Sequence, residues 1–499
     1  MIETGPTVRS IILNGPNGFF NQPNALIFPE LLVSTLIESK MHAGNHPWHK
    51  NLIYAASNGW QGPSRGRDQF RIMDPTRSEN IERWRDAVKG VFQLPVGNLD
   101  YNLLARALAT ELTGINAERS SRIAVLPVTP ATSILQTNDG CVGGNAEQYA
   151  TIIEQHFSAG AAQYHGSAAG LVIEAMRRRL SKDNVLMGIE KTVRVGLLTT
   201  IDPDVSTESG VFVATPRETP QFDPPSYLTS GTPFSWFHES VIKLTNDEWV
   251  EALPARRWVD WVATSTRLAI GMGVLWRSRW NAKIGQLIMD DSDDISIHSL
   301  IKSMKRDPLI TWHESRKPLR SRNVQPDLRR LIAKGAFIDI LFENMLKVKT
   351  INLGDDFSDT IAHLRQNSRS EFQRGMAQDY LKNPKKNRRD DVETMLVARR
   401  TDGPHADHYG LLARHGKGTA KFLIVDPTTE VLALIASLAC ESPDGECTVG
   451  DVRAQLRSLG LEPSIPELVR RLELAGLCRG SADASEAVVV RSAFLGRGK

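Results

Sequence analysis

The sequence predicts an α+β protein that is predominantly helical, with an N-terminal α/β region, a central helical region and a C-terminal module of short helices with a small antiparallel sheet. Three observations predict it. Short β-rich runs alternate with helical ones up to residue 201. From about Pro233 to Pro384 the chain reads as almost wholly helical. The stretch Lys421–Phe494 then spells three capped helices, a polar loop and a returning strand. The expected division is 1–201, an irregular crossing at 202–232, a basic helical region at 233–390, and 391–499 for the sheet and terminal helices.

Composition bounds the class. At 499 residues the chain is too long for one ordinary domain. Hydrophobic residues make up 41% and charged residues 23%, which fits a folded soluble protein. A net charge of +3 permits nucleic-acid binding without demanding it. The cysteines, Cys141, Cys440, Cys447 and Cys478, form no Cys-x-x-Cys pair, which excludes a zinc ribbon. The N-terminus lacks the basic and apolar stretches of a signal peptide, and no apolar run reaches about 18 residues, so no membrane span is expected. The expected compartment is the cytoplasm of a prokaryote, with no cofactor and no bound metal.

In chain order, Val8–Leu13 is β-rich and Phe28–Ser39 reads as a helix. His42, His46 and His49 have metal-ligand spacing, but Gly44, Asn45 and Pro47 make their stretch a loop with ordinary histidines. Ser78–Val91 and Asn98–Leu112 read as helices, and Arg122–Val128 as a strand. A glycine-rich loop, Asn138–Asn145, then precedes a helix over Ala146–Phe157. Strand, glycine-rich loop and helix is the order that cradles phosphates, yet the spacing matches neither the dinucleotide fingerprint nor the P-loop. Cys141 sits beside that helix N-terminus, which lowers a thiol pKa, and His156 and His165 are candidate bases for it. These residues carry the alternative reading, an enzyme with its site near Asp139–Asn145. The plainer reading is a turn with a quiet cysteine. Ala161–Leu180 reads as a helix whose closing Arg177, Arg178 and Arg179 suit the helix dipole. Val193, Val195 and Leu197 alternate in a strand expected over Lys191–Thr200.

The central region holds Trp236, Trp249, Trp258, Trp261, Trp276, Trp280 and Trp312, which read either as aromatic core or as base-stacking platforms. Asp290–Asp294 reads as a solvated acidic loop. Two cation runs follow. Lys302–Lys334 includes Arg316, Lys317, Arg320, Arg322, Arg329 and Arg330, against Asp307, Glu314 and Asp327. The second includes Lys385, Lys386, Arg388 and Arg389. Localised positive charge in a nearly neutral chain is the footprint of a phosphate backbone. Met395–Arg400, Tyr409–Arg414 and Lys421–Val425 then read as short strands.

The C-terminal elements follow from local signals. Thr428 or Thr429 caps a buried helix carrying Val431, Leu432, Leu434, Ile435 and Leu438. Ser442–Gly445 is a turn. Thr448 caps a second helix with Asp451 three residues on, and Gly460 supplies positive φ at its end. Ser464 and Glu467 form a capping box for a third helix, striped by Ile465, Leu468, Val469 and Leu472 and closed by Gly476. Ala487–Val490 returns as a strand.

Helix, helix, turn, helix and hairpin resembles the winged-helix fold, over roughly the last 70 residues. In DNA-binding members the third helix enters the major groove. The resemblance implies that Arg470 and Arg471 face outward there, among Glu467 and Glu473. The whole chain is similar to the uncharacterised subunits encoded in bacterial anti-phage defence islands. Together these readings imply a non-enzymatic component of a bacterial assembly, with DNA and other protein subunits as partners and no membrane. A scaffold that binds protein alone is the remaining alternative.

Overall fold

The N-terminal helices are α1 Leu32–Met41, α2 Ser78–Val91, α3 Tyr101–Glu111, α4 Pro130–Ile134, α5 Ala146–Ala159, α6 Ala168–Leu180 and α7 Asn184–Thr192. The central ones are α8 Pro233–Leu244, α9 Asp247–Ala252, α10 Ala255–Met289, α11 Ile297–Arg306, α12 Gln325–Lys347 and α13 Phe357–Ala377, with a 3₁₀ turn at Leu319–Arg322. The C-terminal part comprises β1 Leu412–His415, β2 Phe422–Val425, α14 Thr429–Ala439, β3 Glu446–Thr448, α15 Val449–Ser458, α16 Ile465–Leu474 and β4 Val489–Arg491. This computed structural model describes residues 7–8, 32–41, 78–92, 100–112, 126–134, 146–163, 166–193, 225–290, 296–352, 354–377, 392–398, 406–417, 420–479 and 485–494. The chain is predominantly helical with small antiparallel sheets.

Helix α10 is the axis. Its 35 residues span about 52 Å at 1.5 Å per residue. It packs against α1, α5, α8, α12 and α13, so it is buried nearly all round rather than on one stripe. Gly335 of α12 lies so close to Ser278 of α10 that a Cβ there would fall 2.4 Å from the Ser278 Cα, and only glycine permits this crossing. One continuous apolar core runs from Val8 to Phe494. The seven central tryptophans all belong to it, none more than 6% exposed. They are core, and the base-stacking reading is set aside. Trp276, Trp280 and Tyr227 stack in a column, with neighbouring ring centres 5.3 and 4.8 Å apart.

Where the described residues reach the expected N-terminal strands, they are not strand, and residues 122–125 lie outside the described residues. Leu126–Val128 is a turn, because Pro127 and Pro130 lack ladder donors and the Leu126 N–H is taken by the Leu112 carbonyl at 2.7 Å. Lys191–Val193 continues α7, which Asp183 caps by accepting from the Val185 and Leu186 N–H groups. The rest of that expected strand, and most of Val8–Leu13, lie outside the described residues, as do His42, His46 and His49. Helix α6 begins at Ala168 and not at Ala161, because Gly166 takes φ +88° and Ser167 is the cap. The buried Glu154 carboxylate accepts from the Ala168 and Ala169 N–H groups at 2.9 Å, completing that terminus. Two of the arginines closing α6, expected to suit that helix's own dipole, reach neighbouring helices instead. Arg178 donates to the Thr245 carbonyl and Arg179 to the Val250 and Leu253 carbonyls, satisfying the open C-terminal ends of α8 and α9.

In the C-terminal part, β1 and β2 pair antiparallel with Leu412 opposite Val425. Of the expected strand at Met395–Arg400, the described residues 395–398 show a single bridge, Val397 to Leu412, because residues 392–396 turn as helix. Thr428 caps α14, Thr448 and Asp451 form a capping box on α15, and Gly460 and Gly476 take φ +87° and +72°. Strand β3 was not expected. It pairs with β4, Cys447 opposite Val490, and Val490 also bridges to Cys478. Leu472 lies at the centre of the α16 stripe and is fully buried. Leu472→Ala is expected to lower unfolding free energy by about 2–5 kcal/mol, through lost transfer energy and a residual cavity. Chemical denaturation of the full chain measures this, and an unchanged midpoint would show that the stripe is not the packed face.

Candidate nucleic-acid interface

The cation run from Lys302 to Lys334 does not present one uniform face. Lys302, Lys305, Arg306, Arg316, Lys317, Arg320 and Arg330 are exposed. Arg329 is half-buried, and Arg322 is only 7% exposed. The segment after Arg322 is stitched to β2: Val324 donates to the Leu423 carbonyl at 2.8 Å, and the Leu423 N–H donates to Asn323 at 3.3 Å. That stitch turns Arg322 inward, so it leaves the candidate set. Lys385, Lys386, Arg388 and Arg389 lie outside the described residues, as do Cys141 and His165.

Two helices build a basic cleft that the charge run alone does not reveal. On α10, Arg279, Lys283 and Gln286 recur at i, i+4 and i+7. On α12, Asp327, Arg330 and Lys334 recur at i, i+3 and i+7. The two stripes face each other across a cleft of about 240 Å³, with Leu331 and Asp307 completing its lining. Four cations thus face two carboxylates. Arg279 is fixed by donating to the Asp307 carbonyl at 2.8 Å and the Leu309 carbonyl at 3.4 Å, and burial pushes its guanidinium pKa down. Arg330 lies 3.5 Å from Asp327, an exposed pair that costs little to exchange for a phosphate. The 3₁₀ turn carrying Arg320 leads directly into the start of α12. Arg279 and Lys283 are functional candidates that the sequence reading missed. Their only signal was a pair of cations one turn apart on an otherwise buried helix.

Asp307 also borders a larger cavity, about 510 Å³, between the central region and the C-terminal part. Tyr227, Trp276, Trp280 and Met304 line it from one side, and Gly460 and Leu461 from the other. The Gly460 carbonyl accepts from Leu309 N–H at 2.7 Å and Ile310 N–H at 3.3 Å, and a Cβ on Gly460 would strike the Leu309 side chain.

The third terminal helix is engaged with the body of the molecule. Glu467 does not complete a capping box with Ser464, whose hydroxyl meets Glu314 at 3.3 Å instead. The Glu467 carboxylate accepts from the Ser315 N–H at 3.1 Å, the Ser315 hydroxyl at 2.5 Å, Arg470 at 2.9 Å and Arg471 at 3.0 Å. Arg471 also pairs with Asp426 at 2.5 Å, and its side chain is 16% exposed. Arg470 donates to Ser315 and keeps 43% exposure. The outward face expected for this helix is therefore a clasp on residues 314–315, formed by partners about 150 positions away in sequence.

Burial pushes the Glu467 carboxyl up, but hydrogen bonds from Arg470, Ser315 and Arg471 outweigh it and hold its pKa at about 2. The clasp's contribution to stability is therefore complete above the ordinary value of 4.5 and is lost as pH falls through about 2. Glu467→Gln is expected to flatten acid unfolding between those limits. An acid-unfolding curve of the variant that superimposes on the parent would remove Glu467 from this role.

His156, offered as a base, lies fully inside the core, edge-on to Phe234 at 5.1 Å and packed against Gly273. Burial and the nearby Arg277 lower its pKa to about 3, so it is neutral and inaccessible to an external substrate. No group of three or more metal-ligating side chains occurs among the described residues. No helix among them is long and apolar enough to cross a membrane. No protein-family model, curated protein or solved structure matches the chain.

Proposed function

We propose that this chain is a non-enzymatic, nucleic-acid-associated component of a bacterial multi-protein system. It grips a phosphate backbone through the α10–α12 cleft and the exposed cations beside it. The observation that carries the reading is the pair of facing cationic stripes, Arg279 and Lys283 opposite Arg330 and Lys334. Two packed helices fix the positions from which these cations emerge, and Arg279 is itself held by its carbonyl acceptors. Phosphate contacts fix position without reading sequence, so the expected binding is sequence-tolerant. Anti-phage defence is the setting that the resemblance read from the sequence implies. The C-terminal order of helix, strand, helix, helix and strand supports a winged-helix reading of that part. Its third helix serves here as a clasp, with Arg470 and Arg471 occupied by Glu467, Ser315 and Asp426.

The two cation sets separate by mutation. Replacing Arg316, Lys317 and Arg320 together by Ala is expected to weaken binding to all sequences alike, by up to about one unit of salt slope per lost phosphate contact. Arg470→Ala is expected to leave nucleic-acid affinity unchanged. Fluorescence anisotropy with two unrelated oligonucleotides reads both. A sequence preference that disappears in Arg470→Ala would return the third helix to the role of a base reader.

A further inference from the structure

Cys440 and Cys447 are both free thiols, and their sulfurs lie 3.3 Å apart. The closeness is built into the backbone on both sides. Cys440 caps the end of α14, where its N–H donates to the Ser437 carbonyl at 3.0 Å. Its own carbonyl accepts from Lys243 of α8 at 3.1 Å, beside the Leu438 carbonyl, which Lys243 also meets at 2.7 Å. Cys447 is fixed in β3 opposite Val490. The turn between them is closed by Gly445 N–H donating to the Ser442 carbonyl at 3.1 Å. Both sulfurs also approach the Ala436 carbonyl, at 3.4 and 3.7 Å. Two sulfurs at van der Waals contact reach a bond length near 2.05 Å by small side-chain rotations, without breaking the strand or the helix.

We propose that Cys440 and Cys447 are an oxidation site, closed to a disulfide by a hydroperoxide and thereby stapling α14 to β3. Cys447 is half-buried and Cys440 fully buried, so the oxidant reaches Cys447 first. The Cys447 sulfur, having released its proton to solvent, attacks the peroxide; the O–O bond breaks, and a sulfenic acid and an alcohol or water result. The Cys440 sulfur then attacks the Cys447 sulfur. The S–O bond breaks, the S–S bond forms, and hydroxide leaves with the Cys440 proton as water. Two thiols and one hydroperoxide thus give one disulfide, one alcohol (or water) and one water, with two electrons passing from sulfur to peroxide oxygen. The hydrogen bond with Cys447 lowers the Cys440 thiol, which suits it to the resolving step. The same contact, with burial, pushes the Cys447 thiol up, so the first step is slow at neutral pH and speeds up in alkali.

The test uses the full chain treated with hydrogen peroxide, alkylated without reductant, digested with trypsin and read by mass spectrometry. Both cysteines fall in one tryptic peptide, 422–453. The expected product is that peptide two hydrogens lighter and unalkylated, with a raised thermal midpoint for the intact protein. In Cys440→Ser, the Cys447 sulfenic acid has no resolving partner and is expected to accumulate as a dimedone adduct, absent from the parent. Cys447→Ser supplies the second check, with Cys440 remaining reduced and no adduct forming. Recovery of the parent peptide alkylated at both cysteines, or a bond from either one to Cys478 or Cys141, overturns the proposal. So does Cys447 sulfinic acid as the main parent product.

Discussion

Arg267→Ala is expected to destabilise the protein by about 3–5 kcal/mol, because it leaves an uncompensated charge in the core. Arg267 and Asp407 have side chains 3% and 2% exposed. The guanidinium donates to both Asp407 oxygens at 2.9 and 3.2 Å, and to the Met395 and Val397 carbonyls at 2.8 and 3.2 Å. Asp407 in turn accepts from the Tyr409 N–H at 3.0 Å. The single side chain therefore ties the axial helix to the segments leading into β1. A buried pair of this kind adds little net stability over an apolar pair of similar size, but removing one partner is costly. Replacing Arg267 by Met and Asp407 by Leu together is thus expected to cost less than the sum of the single changes, a coupling that a double-mutant cycle measures. A single Arg267→Ala variant within about 1 kcal/mol of the parent would show that the clasp does not hold the two regions together.

Removing Lys283, Arg330 and Lys334 is the matching expectation for function. Each cation that meets a phosphate adds about 0.9 to the slope of log affinity against log salt on duplex, or about 0.7 on a single strand. The triple Ala variant is expected to flatten that slope by roughly 2–3 units. None of the three side chains is fully buried, so the fold should tolerate the change. Unaltered melting alongside a flattened slope separates a lost contact from a lost structure.

The sequence was informative where partners are neighbours. Thr428, Thr448 with Asp451, Gly460 and Gly476 mark helix ends through bonds or φ values only a few residues away, and each stands where the local signal placed it. Where the partner is distant, the local signal misled. Ser464 and Glu467 have capping-box spacing, yet Ser315 captures Glu467 across 152 positions. Alternating valines suggested a strand from Lys191, while the Asp183 cap and buried Leu186 and Ile189 carry the helix through Val193. Charge counting located the basic region but not its geometry. It could not tell that Arg322 turns inward against β2, or that Arg279 and Lys283, about 50 positions upstream, face Arg330 and Lys334. Cys440 and Cys447 carried no pairing signal, because the strand that brings them together pairs with residues more than 40 positions later.

The central claim is that the α10–α12 cleft holds a phosphate backbone. The most direct measurement is a titration of the intact protein with labelled duplex and single-stranded oligonucleotides across salt, for the parent and the Lys283, Arg330 and Lys334 triple variant. The four cleft contacts alone predict that parent affinity for duplex falls by at least about two orders of magnitude between roughly 50 and 200 mM salt, and that the variant's slope is shallower than the parent's by roughly 2–3 units. No measurable binding at low salt, or a salt slope identical in parent and variant, would contradict the account.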